Sequence, residues 1–188
     1  MPFASAFLTE EFTMRSSVLA LAVCGVLAAP LATAAPAAAA TTATALPGPW
    51  EPAPSPSWSY PAGVRCDFAV HGGPVVDEVV RRTLATYEDG TLVVEYKGTL
   101  VVRVTHSGTG ASYDADASGH AVVVLRPDRS QRWYVTGPIL AGFGEGGGNV
   151  ARGLYTVDGT YTLDVSPTGY KTLDLLRGTT EPLCAEVA

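Results

Sequence analysis

Apolar and polar residues alternate with a period of two in several segments of this chain. In residues 91–97, Leu92, Val94 and Tyr96 share one face of an extended segment, and residues 99–105 repeat the pattern. Such alternation places one face of a strand on a core and the other in water. The pattern therefore predicts half-buried β-strands.

Turn signals recur at roughly ten-residue intervals, which is the spacing of an all-β sandwich or barrel. Asp89-Gly90 and Asp158-Gly159 are the pairs that tight hairpin turns favour. We expect an antiparallel β-barrel of about eight strands, with a β-sandwich as the alternative. The candidate strands cover residues 66–70, 79–87, 91–97, 99–106, 111–115, 120–126, 131–137, 150–157, 160–165 and 170–176.

Residues 74–84 fit two patterns. Their valines follow helical spacing, and Pro74 stands where a first helical residue would be. The hairpin at Asp89-Gly90, however, needs a first arm. We therefore favour a strand that begins at Val79.

The N-terminal region predicts a secretory signal peptide over residues 1–40. Arg15 precedes a short apolar run, and alanine-rich sequence follows it. This order is typical of a cleaved signal, whereas a membrane-spanning helix needs about 20 apolar residues in a row. The protein is therefore expected to be secreted, with no transmembrane segment after cleavage.

Residues 1–13 carry two glutamates and no basic residue, so Met14 fits better as the initiator. Leu21–Cys24 is similar to a lipoprotein signal, but Val23 is larger than the small residue expected before an acylated cysteine. We favour an ordinary apolar-region cysteine that is lost on cleavage.

Residues 41–65 are predicted to be a proline-rich linker, because residues 47–61 contain six prolines. Trp50, Trp58 and Tyr60 lie among them. These aromatics either pack back onto the domain, which we favour, or form a recognition motif for an aromatic-lined groove. The β-domain then covers residues 66–188.

Two cysteines, Cys66 and Cys184, remain after signal cleavage. An even number in an oxidising compartment predicts a disulfide, and two free thiols are the alternative. The bond would tie the start of the domain to its end.

Composition argues against a nucleic-acid partner, because the chain has a net charge of −6 and lacks the basic surface that such binding needs. The residues indicate no cofactor. An unknown small ligand or protein is the expected partner.

Six of the twelve residues from 137 to 148 are glycine, which predicts a mobile loop. Loops of this length are usually functional or disordered. We take Ile139, Leu140, Phe143 and Glu145 as a candidate binding loop. In the alternative, its apolar side chains plug the end of the barrel.

Arg132, Trp133 and Tyr134 form a candidate contact cluster, because arginine and aromatic residues dominate interface hot spots. Core packing of one ring and exposure of the other is the simpler interpretation.

Candidate metal and catalytic patterns are incomplete. Residues 114–119 match the first half of a calcium loop, but Leu125 stands where a bidentate carboxylate belongs. We therefore predict no metal site. His106 and His120, with nearby carboxylates, are the candidate residues of a barrel-mouth active site.

A set of turn and framing residues between Cys66 and Ala185 carries a resemblance to known proteins. The set consists of residues 66–68, 98–100, 105–110, 137–140, 153–155, 158–161 and 183–185. On these residues, the region 66–188 resembles a family of exported actinobacterial proteins of unassigned function with a two-cysteine β-domain. The resemblance implies export and a β-domain closed by a terminal disulfide, and it brings no catalytic residues.

The sequence thus favours a secreted, non-enzymatic binding or interaction module. A small barrel enzyme and a secreted inhibitor or surface-contact protein are the alternatives. A hollow interior lined with polar groups would favour the enzyme, and a filled core would exclude it.

Overall fold

The computed structural model describes residues 43–44 and 47–188. The predicted signal peptide, Met14 and Cys24 lie outside the described residues. Within them, no helix is long and apolar enough to cross a membrane. The described elements are β1 (Ala43–Thr44), β2 (Glu51–Pro52), β3 (Trp58–Tyr60), β4 (Val70–Asp77), β5 (Val80–Tyr87), β6 (Leu92–Lys97), β7 (Leu100–His106), β8 (Ser112–Asp116), β9 (His120–Leu125), β10 (Gln131–Thr136), β11 (Ile139–Phe143), β12 (Gly153–Val165), β13 (Lys171–Pro182) and α1 (Leu183–Glu186).

These strands form two antiparallel sheets, which confirms the predicted all-β class. The larger sheet has the order β1-β5-β6-β9-β10-β12-β11, with β2 added to β5 and β13 added to β12. The smaller sheet has the order β3-β4-β7-β8.

Neither sheet closes on itself, so the favoured β-barrel is not confirmed, and the alternative β-sandwich fits the two sheets. The edge strands β8 and β11 lie near each other. Among the described residues these two strands form no ladder, although the N–H of Gly119 donates to the carbonyl of Pro138 at 2.6 Å near their ends.

Four described chain segments pass from one sheet to the other. Those from β4 into β5, β6 into β7 and β8 into β9 turn a corner of two or three residues, and the one from β2 into β3 has five residues between the strands. Corners made by strands that switch sheets are typical of packed sheets whose strands cross. These corners connect the two sheets directly through the chain.

Residues 74–84 contain no helix in the structure. Val70–Asp77 and Val80–Tyr87 are both strands, and the first pairs with β7 through a register shift near Pro74. The predicted strand at 66–70 is instead a bend that leads into β4.

The buried core has two parts. One contains β4, β7 and β8 side chains together with Leu154 and the C-terminal residues Leu183 and Val187. The other lies on the larger sheet around Phe143 and Tyr161. The period-two alternation of the strands accounts for both core clusters, because the apolar residues occupy the positions that point inward.

The disulfide between Cys66 and Cys184 is present, with the two Cα atoms 5.6 Å apart. Cys66 is buried in the first core cluster. The bond joins the bend before β4 to the short helix α1, as the cysteine count predicts.

Candidate functional site

A cavity of about 630 Å³ lies between the two sheets. Both sheets contribute to its walls, and most of the wall residues are apolar. This volume is within the range of small-molecule sites, roughly 300–1,000 Å³. The larger apolar and aromatic side chains that line it include Trp58, Tyr96, Leu100, Trp133, Ile139 and Leu163.

Strand register builds the aromatic wall of the cavity. Trp133 on β10 pairs with Leu163 on β12, so both side chains point inward from neighbouring strands. The rings of Trp133 and Tyr96 are stacked, with centroids 6.1 Å apart and an interplanar angle of 15°. Offset stacked rings of this kind stabilise each other and offer a flat apolar surface.

Small side chains provide the empty volume. Ala121 on β9, Ala141 on β11 and Ala117 in the corner between β8 and β9 are buried and line the cavity. Interiors are otherwise packed with few voids larger than a water molecule. Alanine at three inward positions therefore leaves space that valine or leucine would occupy.

Residues 53–58, here called the strap, cover one side of the cavity. The N–H of Ala53 donates to the carbonyl of Val79 at 2.9 Å, and the N–H of Ser55 donates to the carboxylate of Asp77 at 2.6 Å. Trp58 continues the strap into β3, which pairs with β4. The strap is thus attached to the corner between β4 and β5.

Residues 47–65 therefore belong to the folded unit, although their proline content predicts a linker. Prolines remove N–H donors, but the donors that remain bind the domain. Trp50 lies between Arg82 and Lys97, whose charged groups are 4.5 and 4.2 Å from its ring centroid. The favoured packing of these aromatics onto the domain is what the structure shows.

Lys171 brings a positive charge into the cavity from β13. Its ammonium donates to the carbonyl oxygen of Gly142 at 2.6 Å and lies 5.7 Å from the centroid of the Phe143 ring. Burial lowers the pKa of Lys171, and the nearby charge of Arg65 lowers it further.

The candidate binding loop is mostly a strand. Residues 139–143 form β11 and pair with β12, because ladder hydrogen bonds offset the backbone entropy that glycine loses. Ile139 and Leu140 line the cavity, and Phe143 is fully buried. Glu145 is exposed, and its carboxylate lies 3.7 Å from Arg152.

The contact cluster is divided between the two faces of β10. Trp133 points into the cavity, whereas Tyr134 is 47% exposed. Arg132 pairs with Asp164 through two hydrogen bonds of 2.7 and 2.8 Å, which raises the pKa of the guanidinium. Only Trp133 belongs to the cavity.

The histidines do not come together as a site. The ring of His106 stacks on Phe68 at 4.0 Å, and its Nδ1 accepts the N–H of Gly108 at 2.9 Å. His120 lies on the outer face of β9 and contacts Glu95 instead. The two histidines thus belong to different sheets, and each has its own partners.

The aspartates of the calcium-like motif have protein partners. Asp114 forms two hydrogen bonds of 2.7 Å with Arg103, and Asp116 accepts the N–H of Ser118 at 2.9 Å. Among the residues that the structure describes, no three metal-ligating side chains are grouped.

Glu95 is held by two partners on the outer face of the larger sheet. Its carboxylate lies 2.7 Å from Nε2 of His120 and 2.6 Å from Nε of Arg82. The hydrogen bond with His120, followed by that with Arg82, lowers the pKa of Glu95. A lowered folded-state pKa adds stability above the ordinary pKa, and this stability is lost as the pH falls through the folded value.

We expect Glu95→Gln to lower the free energy of unfolding at pH 7 by about 1 kcal/mol, the typical worth of such a hydrogen bond. The difference from the unmodified protein should shrink as the pH falls below 4.5, the ordinary pKa. Urea unfolding followed by tryptophan fluorescence at several pH values measures this. Asp114→Asn, at an exposed ion pair, is the control with a smaller effect. A pH-independent difference would contradict the expectation.

The sequence predicts site roles for Trp133, Ile139 and Leu140, although as exposed residues. Tyr96 and Lys171 are site residues that were not predicted, but a signal for both is present in the sequence. Tyr96 shares a face with Leu92 and Val94, and period two places Lys171 on the same inward face as Leu173.

Comparisons with protein families, curated proteins and solved structures found no match for this chain. The resemblance to an exported actinobacterial family stays a prediction, and the site is interpreted from its own geometry.

Proposed function

We propose that this protein is an exported, non-enzymatic binding module that takes a small, mostly apolar ligand into the cavity between its sheets. The observation that carries the proposal is an aromatic and aliphatic cavity of about 630 Å³. Small-ligand sites are typically concave, largely preformed and lined mainly by apolar and aromatic side chains.

The apolar walls support binding because a ligand that enters the cavity removes apolar surface, both its own and that of the walls, from water. Burial of apolar surface contributes roughly 25 cal/mol per Å², so flat rings such as those of Trp133 and Tyr96 favour an apolar partner. The strap adds a third aromatic side chain, Trp58, to the same cavity.

The lining chemistry supports binding more than catalysis. Among the described residues that line the cavity there is no histidine, cysteine, aspartate or glutamate. These are the residue types that most often act as general acids, general bases and nucleophiles. The enzyme alternative needed a cavity lined with polar groups, and this lining favours the binding module.

The test uses the uncharged apolar dye N-phenyl-1-naphthylamine, whose fluorescence rises in apolar surroundings. We expect saturable binding by the unmodified protein and at least tenfold weaker binding by Ala121→Phe. The added ring would fill the cavity, because Ala121 is an inward residue of β9 on its wall.

Val122→Phe is the matched control, since it adds the same ring one residue further along β9, on the opposite face. It should bind the dye like the unmodified protein. If Ala121→Phe does not fold, Ala117→Leu fills another part of the same wall. Absent dye binding, or equal affinity in the folded filling variant and the control, would contradict the proposal.

A further inference from the structure

The chain contains two lysines, Lys97 and Lys171, and both line the cavity. No carboxylate lines it among the described residues, although the chain as a whole carries 18 acidic and 12 basic residues. The charge of the cavity wall is thus opposite in sign to that of the chain. Charge of one sign in a low-dielectric cleft favours a ligand group of the other sign.

The two lysines differ in what they already contact. The ammonium of Lys97 lies 4.2 Å from the centroid of Trp50, a cation–π contact on a ring that Arg82 also contacts and that does not line the cavity. Lys171 is half-buried, and its ammonium donates to the carbonyl of Gly142. An ammonium has three N–H donors, so this single hydrogen bond leaves Lys171 able to bind a further acceptor.

A second cation increases the positive charge near Lys171. The side chain of Arg65 lies against Gly142 and Gly144, and its guanidinium covers the ring of Tyr60 at 4.6 Å. The Nε of Arg65 is buried with no hydrogen-bond partner in the described part of the chain. Neither Lys171 nor Arg65 forms an ion pair with a described carboxylate.

We propose, on the basis of the proposed function, that the ligand is an amphipathic monocarboxylate. Its carboxylate binds the ammonium of Lys171, and its apolar chain lies along Trp133 and Leu163. A buried charge without a counter-charge is costly, and a ligand carboxylate offsets this cost. The same attraction opposes the effect of burial on the pKa of Lys171.

The groups around Lys171 favour a carboxylate over a phosphate. Phosphate sites combine several backbone N–H groups or an arginine fork. The guanidinium of Arg65 covers the Tyr60 ring and already donates to the carbonyl of Val64 at 3.0 Å. The backbone group that contacts the ammonium of Lys171 is a carbonyl, not an N–H. The ammonium of Lys171 beside an apolar wall therefore matches a single carboxylate on an apolar chain.

The experiment compares decanoic acid with decanol, which share an apolar chain and differ in the charged head. Each is titrated below its micelle-forming concentration against protein that holds N-phenyl-1-naphthylamine, at pH 7.5. We expect decanoate to displace the dye with at least tenfold higher affinity than decanol. This comparison uses the unmodified protein and does not depend on a variant.

Lys171→Met keeps the apolar stem and removes the charge. It should reduce the affinity for decanoate to that for decanol, with both affinities expressed relative to the dye affinity of the same variant. Arg177→Met makes the same change in net charge at an exposed residue of the same strand, and it should keep the preference for decanoate.

The outcomes separate this inference from the proposed function. If the dye binds and decanoate is no tighter than decanol, the carboxylate inference is wrong and the apolar binding module stands. If Lys171→Met and Arg177→Met weaken decanoate equally, a general charge effect replaces the assignment to Lys171. If neither dye nor decanoate binds, the proposed function itself fails.

Discussion

Gly178→Ala is expected to lower the free energy of unfolding by about 3 kcal/mol, because it combines backbone strain with a steric clash. Gly178 and Gly159 face each other in the β12–β13 ladder, with φ angles of 128° and 140°. A Cβ atom on Gly178 would overlap the carbonyl oxygen of Asp158. Neither backbone can move away without breaking the ladder.

Gly169→Ala separates the two causes. Gly169 also has a positive φ, of 87°, but a Cβ atom there would meet nothing within 4 Å. The Gly169→Ala variant should therefore lower the free energy of unfolding only by the cost of a left-handed backbone conformation, roughly 1–2 kcal/mol. Urea unfolding followed by tryptophan fluorescence gives both values, and equal destabilisation of the two variants would show that close approach at Gly178 contributes nothing.

The alternation of residues predicts several central strands closely. It is wrong for β12, where the predicted strands 150–157 and 160–165 and the turn at Asp158-Gly159 are one continuous strand in which Gly159 pairs with Gly178. β6, β9 and β10 begin and end within about one residue of the predicted bounds, which is as close as such boundaries can be defined. Their side chains alternate regularly because one face meets the core and the other meets water. In such strands the local pattern and the tertiary environment favour the same structure.

Glycine composition obscured two strands. β4 includes Gly72, Gly73 and Pro74, and β11 includes Gly142, so propensity favours a loop in both segments. The structure needs these glycines for close approach, since a Cβ atom on Gly72 would overlap the ring of Trp58. Such a requirement depends on a residue distant in sequence, and single-chain propensity does not contain it.

The cavity could be predicted only in part, for a similar reason. Alternation places Trp133 and Tyr96 on inward faces, but an empty volume depends on how two sheets are spaced. Whether the two sheets close into a barrel depends on hydrogen-bonded pairing between their edge strands, and no local sequence signal specifies that pairing. The strap was missed because proline content indicates extended chain and does not indicate what the chain packs against.

The double variant Cys66→Ala with Cys184→Ala is expected to lower the free energy of unfolding by roughly 2–5 kcal/mol, as removal of a native disulfide from a small secreted domain does. The bond spans 118 residues. In the chain-entropy model, a loop of about 100 residues corresponds to about 4.7 kcal/mol. Both cysteines are replaced so that neither leaves its former partner as an unpaired thiol.

Part of the stability lost with the disulfide should appear as local opening of the C-terminal helix α1. Leu183 and Val187, on either side of Cys184, are fully buried in the same core cluster as Cys66. Without the bond, α1 depends on these two side chains, so amide exchange in α1 should increase more than in β9. The unmodified protein in reductant should unfold at the same urea concentration as the double variant. Unfolding of the variant at the urea concentration of the oxidised protein would mean that the terminal bond does not stabilise the fold.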